Sequence, residues 1–132
     1  MKRFSIPVRV YYQDTDAGGV VYHAQYLSFM ERARSELLNS SGIDLARLTA
    51  ERRVLFLVHH IEIRYHQPAR LNDLLTVSAE VAKMGRASLV FAQRVERGAE
   101  LLTEAEVSVA LVDRDRMKPA RMPDELERAL KK

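Results

Sequence analysis

Apolar and polar residues alternate with a period of two through the second half of the chain. Such alternation is typical of strands in an antiparallel sheet that bury only one face. Turn glycines, Gly85 and Gly98, separate the alternating runs from one another. The sequence therefore predicts three successive antiparallel strands, whose inward positions are Leu75, Val77, Ala79 and Val81, then Leu89, Phe91 and Val95, then Thr103, Ala105, Val107, Val109 and Leu111.

Two more strands and two helices are predicted from the remaining patterns. Val54 to Tyr65 is rich in Val, Leu, Ile and Phe and is closed by Pro68, while residues 6 to 12 alternate. One long helical stripe lies between these strands, with spacings of four, three and four and a stop at Gly42; its members are Tyr26, Met30, Ala33 and Leu37. The chain ends with a short helix that begins near Pro123. We therefore expect an α+β fold in which one long helix covers a five-stranded antiparallel sheet.

Composition narrows the function classes. The 132 residues suit one domain, 47% are hydrophobic, and the net charge is +3. The absence of cysteine excludes disulfides and thiolate chemistry. The basic balance comes without a stripe of basic and aromatic residues, which argues against nucleic acid. No apolar run reaches the roughly 20 residues of a membrane span, and the first residues lack the apolar region of a signal peptide. We expect a cytoplasmic protein.

The segment Gln13-Asp14-Thr15-Asp16-Ala17-Gly18-Gly19 is the most unusual part of the chain. Its two carboxylates and two glycines lie between a strand end and the start of the long helix, where backbone N–H groups lack intrahelical partners. A carboxylate beside free N–H donors suits attack or proton abstraction next to a stabilised oxyanion. Asp14 and Asp16 equally suit turn and capping positions. The pattern alone leaves both interpretations open.

The run from Arg9 to His23, followed by Tyr26 and Glu31-Arg32-Ala33-Arg34, resembles the active-site signature of the 4-hydroxybenzoyl-CoA thioesterase family of hotdog-fold enzymes. Within that family it is most similar to the acyl-CoA thioesterases associated with the Tol–Pal system of Gram-negative bacteria. The likeness continues through residues 65–71, 88–91 and 117–119. It implies a single hotdog domain over residues 1–132, with the curled sheet wrapped around the long helix. It also implies homodimers or dimers of dimers, with active sites at the subunit interface.

The resemblance also implies roles for individual residues. Asp16 matches the catalytic carboxylate, and His23 stands where the family uses a backbone N–H to polarise the thioester carbonyl. Asp14 matches the other acidic position of the motif. Other candidate contacts come from the residues themselves. Gly18 and Gly19 would let the substrate approach the main chain closely, and Tyr22 either lines the acyl pocket or packs under the loop. The phosphates of coenzyme A would contact Arg70, Lys83 and Arg86, which equally suit solvated positions at turns. No cofactor is expected, because coenzyme A is part of the substrate.

Hydrolysis of an acyl-CoA to a free acid and coenzyme A is the activity that the resemblance implies, with Asp16 as nucleophile or general base. Acyl carrier protein and the inner membrane are its implied partners. Two alternatives stay open, since one fold hosts several functions. One is a non-catalytic partner of acyl thioesters or acyl carrier protein in the cell-envelope machinery, and the other is a hotdog hydratase.

Other sites are disfavoured by the sequence. His59 and His60 are adjacent on a predicted strand and therefore point to opposite faces, so we expect no metal site there. No Gly-x-Ser-x-Gly motif occurs, which argues against a serine hydrolase. Gly18-Gly19 also lacks the residues that complete a phosphate-binding loop.

Overall fold

One antiparallel sheet with the strand order β1–β3–β4–β5–β2 forms the framework of the molecule. The computed structural model describes residues 3–131. Its elements are β1 (Phe4–Arg9), a 3₁₀ turn (Tyr12–Asp14), α1 (Gln25–Ser40), α2 (Leu45–Arg52), β2 (Val54–Tyr65), β3 (Leu74–Met84), β4 (Ser88–Arg97), β5 (Glu100–Asp113) and α3 (Asp124–Lys131). The predicted α+β hotdog arrangement, with one long helix on a five-stranded sheet, is confirmed.

Helix α1 crosses the inner face of the sheet and contacts β1, β3 and β4. The predicted stripe is buried as expected, and Phe29 and Met30 are fully inaccessible to solvent. Burial of a side chain of this size contributes roughly 1.5–3 kcal/mol. The predicted inward positions of β3, β4 and β5 are buried, so the predicted inward faces are also confirmed.

Helix α2 is not among the predicted elements, so the expected direct connection from α1 to β2 is wrong. The Asp44 carboxylate caps this helix by accepting a hydrogen bond from the Arg47 N–H at 3.1 Å. Only Leu48 of its eight residues is buried. A helix of two turns with one buried residue gives too little periodicity to recognise, because tertiary contact rather than pattern stabilises it.

The first strand is shorter than predicted. It ends at Arg9, and residues 12–14 form a 3₁₀ turn instead of continuing the alternation. Tyr12, the last residue of the predicted alternation, is 83% exposed. The chain leaves the sheet here because the Asp14 carboxylate accepts a hydrogen bond from the Tyr11 N–H, which closes a local turn.

Strand β2 forms one edge of the sheet. A bulge between Val58 and His60 interrupts its pairing with β5, so strict alternation fails at the two histidines. Leu57 is 38% exposed and Val58 is 45% exposed along this edge. An edge strand of 12 residues with exposed apolar side chains is a surface that proteins ordinarily cover.

The C-terminal helix α3 packs against the core through Leu126 and Leu130, which are both buried. The predicted short C-terminal helix is therefore confirmed. Among residues 3–131, no helix is long and apolar enough to cross a membrane.

Candidate active site

The loop between β1 and α1 is held against the β2–β3 loop by backbone hydrogen bonds. The Val10 N–H donates to the Asp73 carbonyl and the Val21 N–H donates to the Ala69 carbonyl, each at 2.9 Å. Within the loop, the Tyr22 N–H donates to the Asp14 carbonyl at 2.9 Å. These contacts bring the segment that carries both carboxylates into one defined position next to the start of α1.

Asp14 lies inside this loop. Its side chain is 3% exposed, and one carboxylate oxygen accepts a hydrogen bond from the Tyr11 N–H at 2.8 Å. A buried carboxylate that satisfies a backbone donor stabilises a turn. The structure therefore gives Asp14 a role in shaping the loop and leaves little of its surface for a ligand.

Asp16 lies two residues further along and is exposed. Its Oδ1 accepts a hydrogen bond from the Gly18 N–H at 2.8 Å, and no donor among residues 3–131 contacts its Oδ2. Gly19 follows with φ of 80°, a conformation that favours glycine. The turn thus fixes one carboxylate oxygen and leaves the other without a protein donor among the described residues.

The N-terminus of α1 supplies hydrogen-bond donors next to this turn. Ala24 is the N-cap residue and has no side-chain cap. Within the part of the chain that the structure describes, no protein acceptor receives the N–H of His23 or of Ala24. Unpaired N–H groups at a helix start carry the positive end of the helix dipole. This end suits a developing negative charge on a carbonyl oxygen.

Tyr22, His23 and Tyr26 are the aromatic residues at the start of α1. Tyr22 is half exposed, and its ring lies 4.6 Å from the His23 ring. Tyr26 is buried, and its hydroxyl accepts a hydrogen bond from the Ala69 N–H at 3.0 Å. Burial raises the pKa of Tyr26, and the hydrogen bond with Ala69 opposes this effect. Tyr26 therefore joins the start of α1 to the β2–β3 loop through a neutral hydroxyl.

The candidate coenzyme A contacts are divided between the two ends of the sheet. Arg70 lies near the site, because its backbone is bridged to Val20. Lys83 and Arg86 lie at the β3–β4 turn, and β3 has 11 residues, roughly 35 Å at 3.3 Å per residue. One protomer therefore does not bring Lys83 or Arg86 to Asp16.

Two cavities involve residues that the sequence did not single out. One, of about 490 Å³, lies between the β3–β4 turn and α3 and is lined by the basic residues Arg86, Arg121 and Lys131. Glu127 also lines it and accepts a hydrogen bond from the Lys131 ammonium group at 2.8 Å, so among the described residues two of the three cations have no carboxylate partner in the cavity. Because basic residues at a turn or a helix end ordinarily face water, their spacing gave no signal for this cavity.

The second cavity has a volume of about 250 Å³ and lies between α1, α2 and the exposed edge strand. Its walls include Leu38, Phe56, Val58, Phe91 and Val109, with Arg34 at one side. Burial lowers the pKa of the Arg34 guanidinium, which donates a hydrogen bond to the Gln93 side chain at 2.9 Å. This cavity depends on packing between distant elements, which no local pattern reports.

The histidines in and just after β2 are not grouped around a possible metal position. His59 and His60 are both exposed, and His66 pairs with Glu104 at 2.7 Å. Among residues 3–131, no group of three His, Asp or Glu side chains is arranged to hold a metal.

Comparison with known proteins gives one consistent family. The model of the thioesterase superfamily matches residues 18–104. The acyl-CoA thioesterase YbgC of Haemophilus influenzae is 48% identical over 126 residues, which cover 96% of this chain and 93% of the relative. The acyl-CoA thioester hydrolase YbgC of Escherichia coli O6:H1 is 50% identical over 121 residues, covering 91% and 90% of the two chains.

The similarity extends to solved structures. A crystal structure of a probable thioesterase from Bartonella henselae superimposes with a TM-score of 0.88 at 36% identity, covering 92% of this chain and all of that one. Sequence and structure thus point to the same fold, and the chain belongs to the thioesterase superfamily.

Proposed function

We propose that this protein hydrolyses acyl-CoA thioesters to a free carboxylic acid and coenzyme A. The observation that carries the proposal is the exposed Asp16 carboxylate, with one oxygen fixed and one free, beside a helix start whose N–H groups lack partners. The names of the relatives from Haemophilus influenzae and Escherichia coli support the same activity.

The chemistry follows from these groups. The thioester oxygen accepts hydrogen bonds from the start of α1, near His23, which stabilise the tetrahedral oxyanion by about 3 kcal/mol for one preorganised donor. Asp16 either attacks the carbonyl carbon to give a mixed anhydride, or removes a proton from the attacking water. In both routes the C–S bond breaks and coenzyme A leaves as a thiolate. In the first route, water then hydrolyses the anhydride.

The active unit in this proposal is a dimer formed through β2. The exposed apolar side chains of β2 support it. Antiparallel pairing of two β2 strands around a two-fold axis covers the β2 edge of each protomer. Such pairing sets the Tyr65 end of one strand beside the Val54 end of its partner. A dimer of dimers is compatible with the same pairing.

The apolar cavity is the proposed acyl pocket. Phe56 and Val58 belong to the β2 half that, in the dimer, adjoins the partner's helix start. An acyl group held there extends away from the partner's reactive carboxylate. A volume of about 250 Å³ favours short or compact acyl groups over long chains.

The basic cavity is the proposed site for the phosphates of coenzyme A. From β2 of one protomer to β4 of its partner there are three strand spacings, about 14 Å. Arg86 and Arg121 of the partner subunit would then lie on the active-site side, with Lys83 beside them. Arg70, Gly18, Gly19 and Tyr22 would contact the substrate from the protomer that supplies Asp16.

Acyl carrier protein is proposed as an alternative carrier of the acyl group, because it presents the same phosphopantetheine thioester as coenzyme A. The basic cavity supports this choice, since its charge would also suit an acidic carrier. We place the protein in the cytoplasm, and the resemblance to the Tol–Pal-associated thioesterases supports an association with the inner membrane.

Release of free thiol from saturated acyl-CoA esters tests the proposed activity. The saturated panel runs from acetyl through butyryl to palmitoyl esters, and a benzoyl ester is added to test aromatic acyl groups. A saturated chain has no double bond to hydrate, so thiol release separates hydrolysis from hydratase activity. Binding of acyl-CoA without thiol release from any ester would favour a non-catalytic binding protein and overturn the proposal.

A further inference from the structure

The carbonyl group of His23 is held by a side chain from a distant strand. The Tyr65 hydroxyl, at the last residue of β2, donates a hydrogen bond to this oxygen at 2.8 Å. The helix itself does not use the His23 carbonyl, since the Leu27 N–H donates to the Ala24 carbonyl instead. Tyr65 is therefore the contact that fixes this peptide group at the entrance to α1.

The position of Tyr65 is itself fixed by the core. Its ring packs edge-to-face on Tyr26 with the centroids 5.4 Å apart. Tyr26 is buried and bonded to the Ala69 N–H. Burial raises the pKa of Tyr65, with a smaller contribution from Tyr26, so its hydroxyl stays protonated and able to donate through the neutral range.

A hydrogen bond to a peptide carbonyl strengthens the N–H of the same peptide as a donor, because the two dipoles polarise one another. For the peptide that begins with the His23 carbonyl, this N–H belongs to Ala24. It has no protein acceptor among residues 3–131, and neither has the N–H of His23. The contact with Tyr65 thus acts on one of two adjacent unpaired donors.

We propose that Tyr65 is a positioning residue that orients and polarises the His23–Ala24 peptide, so that the Ala24 N–H acts as a second donor to the thioester oxygen. This inference rests on the proposed thioesterase activity and deepens it. It assigns to Tyr65 a contribution made in the transition state, because the oxygen gains most of its charge there.

Steady-state kinetics of the Tyr65→Phe variant with a short acyl-CoA test the inference. Phe keeps the ring contact with Tyr26 and removes only the hydroxyl. We expect kcat to fall about tenfold, less than the loss of 100-fold or more for removing a donor outright, while KM changes less than twofold. Thr76→Val is the control, because it also removes one hydroxyl, from an exposed position of β3 outside the site, and the Thr76 hydroxyl has no protein partner among the described residues; it should keep the wild-type kcat.

Replacement of Tyr65 by 3,5-difluorotyrosine gives a readout that a purely structural role would not move. Fluorination lowers the pKa of the phenol, so the hydrogen bond is lost at a lower pH. The fluorinated protein should lose kcat on the alkaline side at a pH where the wild type does not.

Three results would overturn the inference: a Tyr65→Phe kcat within twofold of wild type, a loss confined to KM, or identical pH profiles for the wild-type and fluorinated proteins. An active wild type with any of these results refutes the role of Tyr65 alone. A wild type that releases no thiol refutes the proposed activity as well.

Discussion

The carboxylates of Asp14 and Asp16 lie two residues apart but in opposite environments. Asp14 is 3% exposed and bonded to the Tyr11 N–H, whereas Asp16 is exposed and has an oxygen without a protein donor. A carboxylate that is buried and satisfied stabilises a turn, and one that is half satisfied at the surface is available for chemistry. We therefore expect substitutions of Asp14 to lower mainly the stability of the protein and substitutions of Asp16 to lower mainly its turnover.

Removal of the Asp14 side chain should affect stability more than catalysis. Asp14→Ala leaves the Tyr11 N–H without its acceptor, which should lower the free energy of unfolding by about 1–2 kcal/mol. Asp14→Asn retains an acceptor oxygen and should lower it less, with turnover reduced less than by Asp16→Asn. Urea denaturation and steady-state kinetics on both variants measure the two effects. Equal losses of turnover for Asp14→Asn and Asp16→Asn would contradict the division of roles.

Substitutions of the adjacent glycines should also affect turnover and stability separately. A Cβ at Gly18 would lie 3.2 Å from the Asp16 Oδ1, whereas a Cβ at Gly19 would meet nothing within 4 Å but would require a φ of 80°. Gly18→Ala should displace the carboxylate and lower kcat with little loss of stability. Gly19→Ala should cost roughly 1–2 kcal/mol of stability through backbone strain. Thermal unfolding and kcat measured for both variants test this expectation. A loss of stability confined to Gly18→Ala and a loss of kcat confined to Gly19→Ala would refute this account of the turn.

The proposed acyl pocket predicts a change of substrate range. Val109→Phe adds volume to the wall of the 250 Å³ cavity from a strand that lies inside the sheet. We expect kcat/KM to fall at least tenfold for octanoyl-CoA and by much less for acetyl-CoA, since only the longer chain needs the filled space. A uniform loss across chain lengths would show that this cavity does not hold the acyl group.

The proposed dimer depends on the exposed edge of β2. Leu57→Glu places two carboxylates close to the shared two-fold axis, where like charges and loss of apolar contact both oppose pairing. Sedimentation should show a dimer or larger assembly for the wild type and a monomer with much reduced turnover for the variant. A monomeric and fully active wild type would refute the shared site.

Acid should weaken the loop that supports the site. Burial raises the pKa of Asp73, but hydrogen bonds from the Arg70 N–H and the Arg97 guanidinium outweigh it, so the pKa lies below its usual value. A lowered pKa in the folded state means that this stabilisation is present above the unfolded pKa, about 3.9, and is lost as the pH falls through the folded value. The free energy of unfolding of wild type should therefore drop more between pH 5 and pH 3 than that of Asp73→Asn. Parallel curves for the two proteins would contradict this.

The elements that can be predicted from the sequence are those that a local pattern of residues determines. Helix α1 and the inward faces of β3 to β5 follow from periodicity, and the loop from Gln13 to His23 is recognisable by its residues. Helix α2 escapes prediction because one buried residue, Leu48, makes no pattern. The contact between Tyr65 and His23 escapes it for another reason: 42 residues separate the partners, and only the folded sheet brings them together.

The central claim is that the Asp16 carboxylate performs the chemistry, and turnover by Asp16→Asn tests it most directly. Asn is close to Asp in size and keeps an oxygen for the Gly18 N–H, so unfolding and acyl-CoA binding should stay near wild type. We predict that thiol release from a saturated acyl-CoA falls by roughly 100- to 10,000-fold. Turnover within a few-fold of wild type in a folded Asp16→Asn protein would contradict the claim.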